Sequence, residues 1–363
     1  MTAPVSYLDY NASAPLLPEA AAAMKATFAL MGNPSSVHRA GRAARAVIED
    51  AREAVAALVN VTPAQVVFTS GATEANGLAL ATGPVTASAV EHPSVLAWAE
   101  AETIGVDADG VIDLPALDNR LREFPPAVVA LMLANNETGV LQPVVDAAAL
   151  AHGCGARLHC DAVQGPGRVA VDFQALGADT LSLSAHKFGG PKGVGALILR
   201  PGLELPALIK GGGQERRRRA GTENLAGIAG FGAAALTAGA ALKDTSRITA
   251  LRDAFEARLA DQAPQARVLG QGAERLCNTS CIMLPGVSAE TQLMRLDLAN
   301  VLVSAGSACS SGKIAASHVL TAMGAPEADA KCAVRVSFGP GSTAADLDAF
   351  FSAWLPLALT AAA

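Results

Sequence analysis

One amine stands among small polar residues in "LSLSAHKFGGPKGVGALILR" (181–200), where Lys187 follows Ser184 and His186 at the end of an apolar run. A lysine at a strand end in a cleft is desolvated, its pKa falls, and its amine becomes nucleophilic toward a carbonyl. Taken alone, a turn lysine reads equally well as solvated surface. Some twenty residues earlier, "LHCDAVQGPGRV" (158–169) ends a strand at Asp161, with Gln164 three residues on. That carboxylate could hold a protonated ring nitrogen and the amide a neighbouring oxygen, or Asp161 could simply cap a turn. Earlier still, "FTSGATEANGLAL" (68–80) runs from a strand through Thr-Ser-Gly-Ala-Thr into a helix. Backbone N–H groups there suit a phosphate. The stretch does not match G-x-x-x-x-G-K-[ST], which argues against a nucleotide P-loop, and a Ser/Thr-capped helix is the plainer alternative. The order of the three decides between these readings. A phosphate cup, a counter-charge for a pyridinium and a Schiff-base amine are the parts that pyridoxal 5'-phosphate requires.

Elements must hold those groups in place. Apolar β-rich runs at Val66–Thr69, Val85–Ala89, Val128–Leu133, Ala156–Cys160, Thr180–Ser184 and Gly195–Leu199 alternate with helical stretches such as Ala43–Val59 and Val144–Gly153. The alternation predicts a mainly parallel sheet between helices, with ligands at the carboxyl ends of its strands. A long helical stretch over Asn224–Asp261 follows the glycine-rich 210–222 loop. Strands at Cys281–Leu284 and Val334–Phe338, with helices at Glu290–Leu298 and Ala344–Thr360, then predict a smaller α+β unit. The expected division is a large domain over 16–245 and a small one over 246–363, joined by the N-terminal segment 1–15.

A chain of 363 residues, 51% hydrophobic and 17% charged, is a folded protein of more than one lobe and not a disordered one. Its net charge of −6 gives no reason to expect nucleic acid or an anionic membrane. Arg216–Arg219 is short, lacks interleaved aromatics and reads as a solvated rim. No signal peptide and no long uninterrupted apolar run is visible, and six scattered Cys make neither a metal pattern nor a disulfide framework. A reducing cytoplasm is expected, with no membrane and no resident metal.

The chain resembles the cysteine desulfurases of the NifS/IscS type, within the fold-type I pyridoxal-phosphate enzymes (class V aminotransferase family). The similarity runs through "YLDYNASAP", "GNPSSVHRAGR", "FTSGATEANGLAL", "VEHPSV", "ANNETGVLQPV", "HCDAVQ", "SLSAHKFGGPKGVGAL", "GGGQERRRRAGTEN", "SAGSACSSG" and "VRVSFG". It implies a large domain with a seven-stranded, mainly parallel sheet between helices, a smaller α+β domain, and pyridoxal 5'-phosphate as cofactor. By that resemblance Lys187 would carry the Schiff base, Asp161 would pair with the pyridinium nitrogen and Gln164 would bond the phenolic oxygen. His92 would stack on the ring and help move protons. Ala72, Thr73, Ser184 and His186 would hold the phosphate, and Thr222 would reach the phosphate of a neighbouring subunit in a homodimer. Asn136 would lie by the cofactor and Arg335 would clamp the substrate carboxylate, a role suited to a guanidinium.

Cys309 separates the desulfurase from its relatives. "VLVSAGSACSSGKIAASHVL" sets it among small residues, an unusual setting for a core thiol, with Lys313 and His318 as nearby cations that could favour thiolate if the fold brings them close. The implied reaction takes sulfur from L-cysteine, giving L-alanine and a persulfide on Cys309. That persulfide then passes to an iron–sulfur scaffold or another acceptor protein, where Cys309 could transiently ligate a shared cluster. Selenocysteine lyase or an aminotransferase-like enzyme is the alternative, and a non-catalytic sulfur-carrier scaffold is a third. Departures from the family pattern are Pro340, where many relatives have Arg, and "KIAAS", where an acidic-Pro-Ser pattern is common.

Overall fold

The computed structural model describes residues 5–99, 103–306 and 315–362. Cys309 and Lys313 lie outside them. The chain opens with β1 (Ser6–Tyr7) and reaches its main sheet through the helices Pro18–Thr27 and Arg39–Leu58. That sheet contains β2 (Val66–Thr69), β3 (Val85–Ala87), β4 (Val128–Ala130), β5 (Arg157–Asp161), β6 (Thr180–Ser184) and β7 (Gly195–Leu199), in the spatial order β2-β7-β6-β5-β4-β3. Strands β3 to β6 are mutually parallel, while β7 runs antiparallel to both β6 and β2. The sheet has six strands among the described residues where seven were expected. Beyond β3, Ile104 makes only an isolated parallel bridge to Ser88, too little backbone pairing to count as a strand.

The strands are buried on both faces, as an apolar run without alternation requires of a helix-covered sheet. Val144–Gly153 forms the helix its spacing predicts. The expected single helix over Asn224–Asp261 is instead Leu225–Ala241, a 3₁₀ turn at Leu242–Asp244, and Thr245–Gln262. Its first part is apolar on nearly every side because two helices pack on it. A Cβ on Gly232 would come within 2.7 Å of Ala51 in Arg39–Leu58, and one on Gly230 within 2.8 Å of Met24 in Pro18–Thr27. Glycine there allows helix axes to approach more closely than any side chain would.

Downstream, β8 (Arg267–Leu269), β9 (Thr279–Met283), β10 (Val301–Leu302), β11 (Ser304–Ala305) and β12 (Ala333–Ser337) follow. A four-stranded antiparallel sheet runs β11-β12-β9-β8, and β10 pairs in parallel with β1. Its core centres on Phe255, Phe338, Phe350, Phe351 and Trp354, with Leu8 of the N-terminal segment packed in. A separate core lies between the main sheet and its helices. The carbonyl of Pro340 accepts from Arg247, which also bonds Asp244 and the Ser342 carbonyl.

Candidate active site

The carboxyl ends of β2, β5 and β6 deliver Ser70, Asp161 and Ser184 to one side of the main sheet. After β2, the helix Ala72–Leu80 starts at Gly71 with no side chain capping it, so its first N–H groups are free to receive an anion. Ala72 is half-buried and Thr73 exposed, and a Cβ on Gly71 would meet nothing within 4 Å. Gly195 lets this turn come close: a Cβ there would stand 2.8 Å from Gly71 backbone and 2.6 Å from the Leu183 carbonyl oxygen. Glu74 braces the same turn, accepting from the Ser70 N–H and pairing with Arg219 at 2.9 Å.

Asp161 ends β5 with only 7% of its surface exposed. Its Oδ1 accepts from the Val163 N–H and its Oδ2 from Asn76 Nδ2 at 2.9 Å. Buried carboxylates need such donors. Lys187 sits in the 3₁₀ turn after β6, with Nζ 2.7 Å from the Asn11 carbonyl oxygen. Burial pushes its amine down to about 7, helped by Arg335 and Arg168 and opposed by Asp161 and Asp9. The same Asn11 carbonyl accepts from Gln164 Nε2, whose Oε1 accepts from Arg168. His186 faces Ser13 Oγ at 3.3 Å and is pushed to about 4 by burial and by Lys187 and Lys192. Ser184 is buried at the strand end, while Thr222 is exposed beside Gly221 and Arg219.

His92 follows the buried Glu91 and caps the short helix Pro93–Leu96 through its Nδ1. Burial lowers its pKa, with Lys187 and His318 acting the same way and Asp161 opposing them. Arg335, on β12, is buried; it donates to the Asn136 carbonyl at 3.0 Å and pairs with Asp9 at 2.8 Å. Its Nε is buried with no partner, and each Nη has one N–H left over from these contacts, so the guanidinium keeps donors for a carboxylate. Asn136 also accepts at its carbonyl from Asn11 Nδ2.

Several functional contacts come from residues to which the sequence assigned no role. Asn11 and Asp9, in "YLDYNASAP", hold Lys187, Gln164 and Arg335. Glu91 is fully buried and pushed up to about 8, first by desolvation and then by Asp161. Glu137 reaches about 7 by burial and accepts from Ser317 Oγ at 2.6 Å. Their places within "VEHPSV" and "ANNETG" were the available signal, but neither carboxylate has a partner that spacing could reveal. The four-arginine run is broken up by its contacts: Arg216 donates to the Ala64 carbonyl and Arg219 pairs with Glu74. Glu215, Arg216 and Arg217 adopt left-handed backbone (φ 43°, 55° and 67°), a strain of about 1–2 kcal/mol per residue. The buried pair of Glu215 with Arg52 at 2.7 Å holds this loop against β2.

An uncapped helix start, an acceptor-only carboxylate at a strand end and a desolvated amine together fit the phosphate, ring nitrogen and aldehyde of pyridoxal 5'-phosphate. The family follows from comparison. Residues 6–350 match the model of the aminotransferase class-V family, and this chain belongs to it. Within that family it is similar to curated cysteine desulfurases. It is 43% identical to a cysteine desulfurase of Cereibacter sphaeroides, over 97% of this chain and 95% of that one. It is 39% identical to the cysteine desulfurase IscS of Dictyoglomus turgidum, over 94% and 91%. A solved NifS-like protein from Rickettsia africae superposes with a TM-score of 0.91 at 33% identity, covering 98% of this chain and 99% of that one.

The low-lying amine makes one expectation immediate. Reductive methylation of Lys187 in the cofactor-free protein rises through pH 7 and levels off above it, whereas surface lysines need a pH near their ordinary value of about 10.4. Residue-resolved mass spectrometry across pH 6–11 checks this. A midpoint above 9 at Lys187 contradicts the desolvated amine.

Proposed function

We propose that this chain works as a cysteine desulfurase in which Lys187, Asp161, His92, Arg335 and Cys309 divide the labour. The observation that carries the reading is Lys187 Nζ, desolvated and 2.7 Å from the Asn11 carbonyl, in a site shared with the buried Asp161. Bound pyridoxal 5'-phosphate supplies a carbonyl carbon for exchange with an amine and a ring that takes up the electron pair released at Cα.

The chain's residues do the remainder. Arg335 takes the substrate carboxylate through N–H groups that its bonds to Asp9 and Asn136 leave unused, those bonds holding the guanidinium in place. Asp161 keeps a proton on the ring nitrogen. Lys187, neutral near pH 7, receives the Cα proton at Nζ. His92, whose Nδ1 is taken by the Ser94 contacts, moves protons at its Nε2. Gln164 bonds the phenolic oxygen, Asn136 stays beside the cofactor, and Ala72, Thr73, Ser184 and His186 hold the phosphate. Cys309 thiolate attacks the substrate sulfur, so that an S–S bond forms as the Cβ–S bond breaks. Carbon retains that electron pair, and protonation leaves L-alanine.

The working unit is a homodimer in which Thr222 reaches the partner's phosphate, and the enzyme acts in the cytoplasm. The persulfide acceptor is an iron–sulfur scaffold, the chemistry implied by the likeness to IscS. The two largest hydrophobic clusters, one within 20–238 and the other within 248–358 plus Leu8, support domains over 16–245 and 246–363.

The deciding assay incubates cofactor-loaded protein with L-cysteine and a thiol. Sulfide and alanine appear in equal amounts if the reading holds; an aminotransferase yields a keto acid and no sulfide. Arg335→Lys tests the carboxylate clamp. Losing the planar fork costs about 1.5–3 kcal/mol, raising KM for L-cysteine roughly 10- to 100-fold. Steady-state kinetics checks this, and an unchanged KM rules the clamp out.

A further inference from the structure

Asn76 lies inside the helix Ala72–Leu80 with none of its surface exposed, yet all its polar atoms are engaged. Nδ2 donates to Asp161 Oδ2 at 2.9 Å and to Ser94 Oγ at 2.9 Å, and Oδ1 faces His159 Nε2 at 3.0 Å. Ser94 Oγ in turn stands 2.7 Å from His92 Nδ1, and His159 Nδ1 stands 2.8 Å from Thr180 Oγ1. One buried amide therefore touches Asp161 directly and His92 through Ser94.

The direction of every bond follows from chemistry. An ionised carboxylate only accepts, so Asn76 must turn its NH₂ to Asp161 and its carbonyl to His159. His159 must then carry its proton on Nε2, leaving Nδ1 to accept the Thr180 hydroxyl proton. This requires a neutral imidazole, and complete burial pushes His159 down to about 4. On the other branch, Ser94 Oγ accepts from Asn76 and sends its own proton to His92 Nδ1. The Ser94 N–H also points at that nitrogen, at 3.1 Å. His92 is thus kept neutral, with its proton on Nε2.

We propose that Asn76 is a positioning residue that couples the carboxylate Asp161 to the imidazole His92, and that the buried pair Thr180–His159 fixes the amide's orientation. The proposal rests on the reading above, in which Asp161 and His92 face the cofactor. The network lets the ring-nitrogen partner and the proton-moving imidazole be set by one side chain. A rotation of the amide would disturb both at once; it would set carbonyl against the Asp161 carboxylate and NH₂ against the His159 N–H, and both oppose it. Charged or titratable groups facing His92 are Asp161, Lys187 and His318, with Glu91 immediately before it, so changes in its titration must be read against these.

Nitrogen-15 NMR of the imidazoles in the cofactor-free protein tests the coupling, and pyridoxal-phosphate affinity with turnover tests its consequence. In Asn76→Ala the His92 titration moves up toward the ordinary value of about 6.5, cofactor Kd rises about 10-fold or more, and kcat falls about 10- to 100-fold. Ser94→Ala cuts one branch only: His92 moves and the cofactor Kd stays. Thr180→Val leaves His159 a mixture of tautomers and lowers kcat, while Thr180→Ser restores both. An Asn76→Ala protein, or a Thr180→Val protein if the first does not fold, that leaves imidazole spectra and Kd unchanged overturns the proposal. A wild-type protein that binds no cofactor refutes the functional reading instead, and the cofactor-free spectra still judge the network.

Discussion

Lys187→Ala abolishes turnover of L-cysteine, by about 10⁴-fold or more, because one substitution removes both the covalent partner of the cofactor and the base at Cα. The wild-type protein is yellow, absorbing at roughly 390–430 nm as an amine-linked pyridoxal should; the variant, after dialysis, is colourless. An equally yellow variant would rule out Lys187 as the linking amine. A second readout needs no cofactor. The folded-state amine sits near 7, below the ordinary lysine value of 10.5, because burial disfavours its charge. Between these values the unfolded chain binds a proton that the folded chain does not, so the cofactor-free wild type gains stability as pH rises through that window. Lys187→Ala lacks the gain. Urea denaturation at pH 7 and pH 9.5 measures it, and equal slopes for both proteins would mean that the amine is solvated.

Much of the scaffold could be read from the chain because its signals are local. The strands β2, β6 and β7 are continuous apolar runs that nothing but a doubly covered sheet can bury. Val144–Gly153 carries a helical apolar spacing and ends before Gly155, whose φ of 78° suits glycine. The break at Leu242–Asp244 was not legible, since Ala, Leu and Lys are all good helix formers. What turns the chain there is tertiary: Arg247 is drawn to Asp244 and to the Pro340 and Ser342 carbonyls.

For the site, the order of motifs shows which side chains could do chemistry but not what holds them. Lys187 depends on the carbonyl of Asn11, 176 positions away, and Arg335 on Asp9, 326 away. Backbone carbonyls leave no mark on residue type, so the first of these could not be seen in any spacing. Asn76 and His159 were passed over for a different reason. Each sits in a stretch already explained, one as a helix residue and the other as a strand residue, and their chemistry appears only when β5 is placed against the Ala72–Leu80 helix. Full burial of polar side chains in a functional sheet end is the feature that makes them meaningful.

Cys309→Ser eliminates sulfide release with cofactor colour retained, and no other thiol takes over. The five remaining cysteines show why. Cys160 is fully buried and its thiol is pushed up by desolvation and by Asp161 and Glu91; Cys281 is pushed up likewise by burial and Glu137. Cys277 is raised by burial despite Arg168 and faces that residue's carbonyl. Cys154 and Cys332 donate to the Ala151 and Ala328 carbonyls of the helices that end just before them. Nucleophilic attack on sulfur requires thiolate, and a thiol with a raised pKa or one donating its proton to a carbonyl is a poor source of it. Cys154→Ser and Cys277→Ser should therefore keep most of the turnover, and Cys309→Ser none. Mass spectrometry of wild-type protein after brief exposure to L-cysteine should find about 32 Da added on the peptide containing Cys309, the mass of one sulfur atom carried as a persulfide. Sulfide release at the wild-type rate from Cys309→Ser would show that sulfur leaves the substrate by another route.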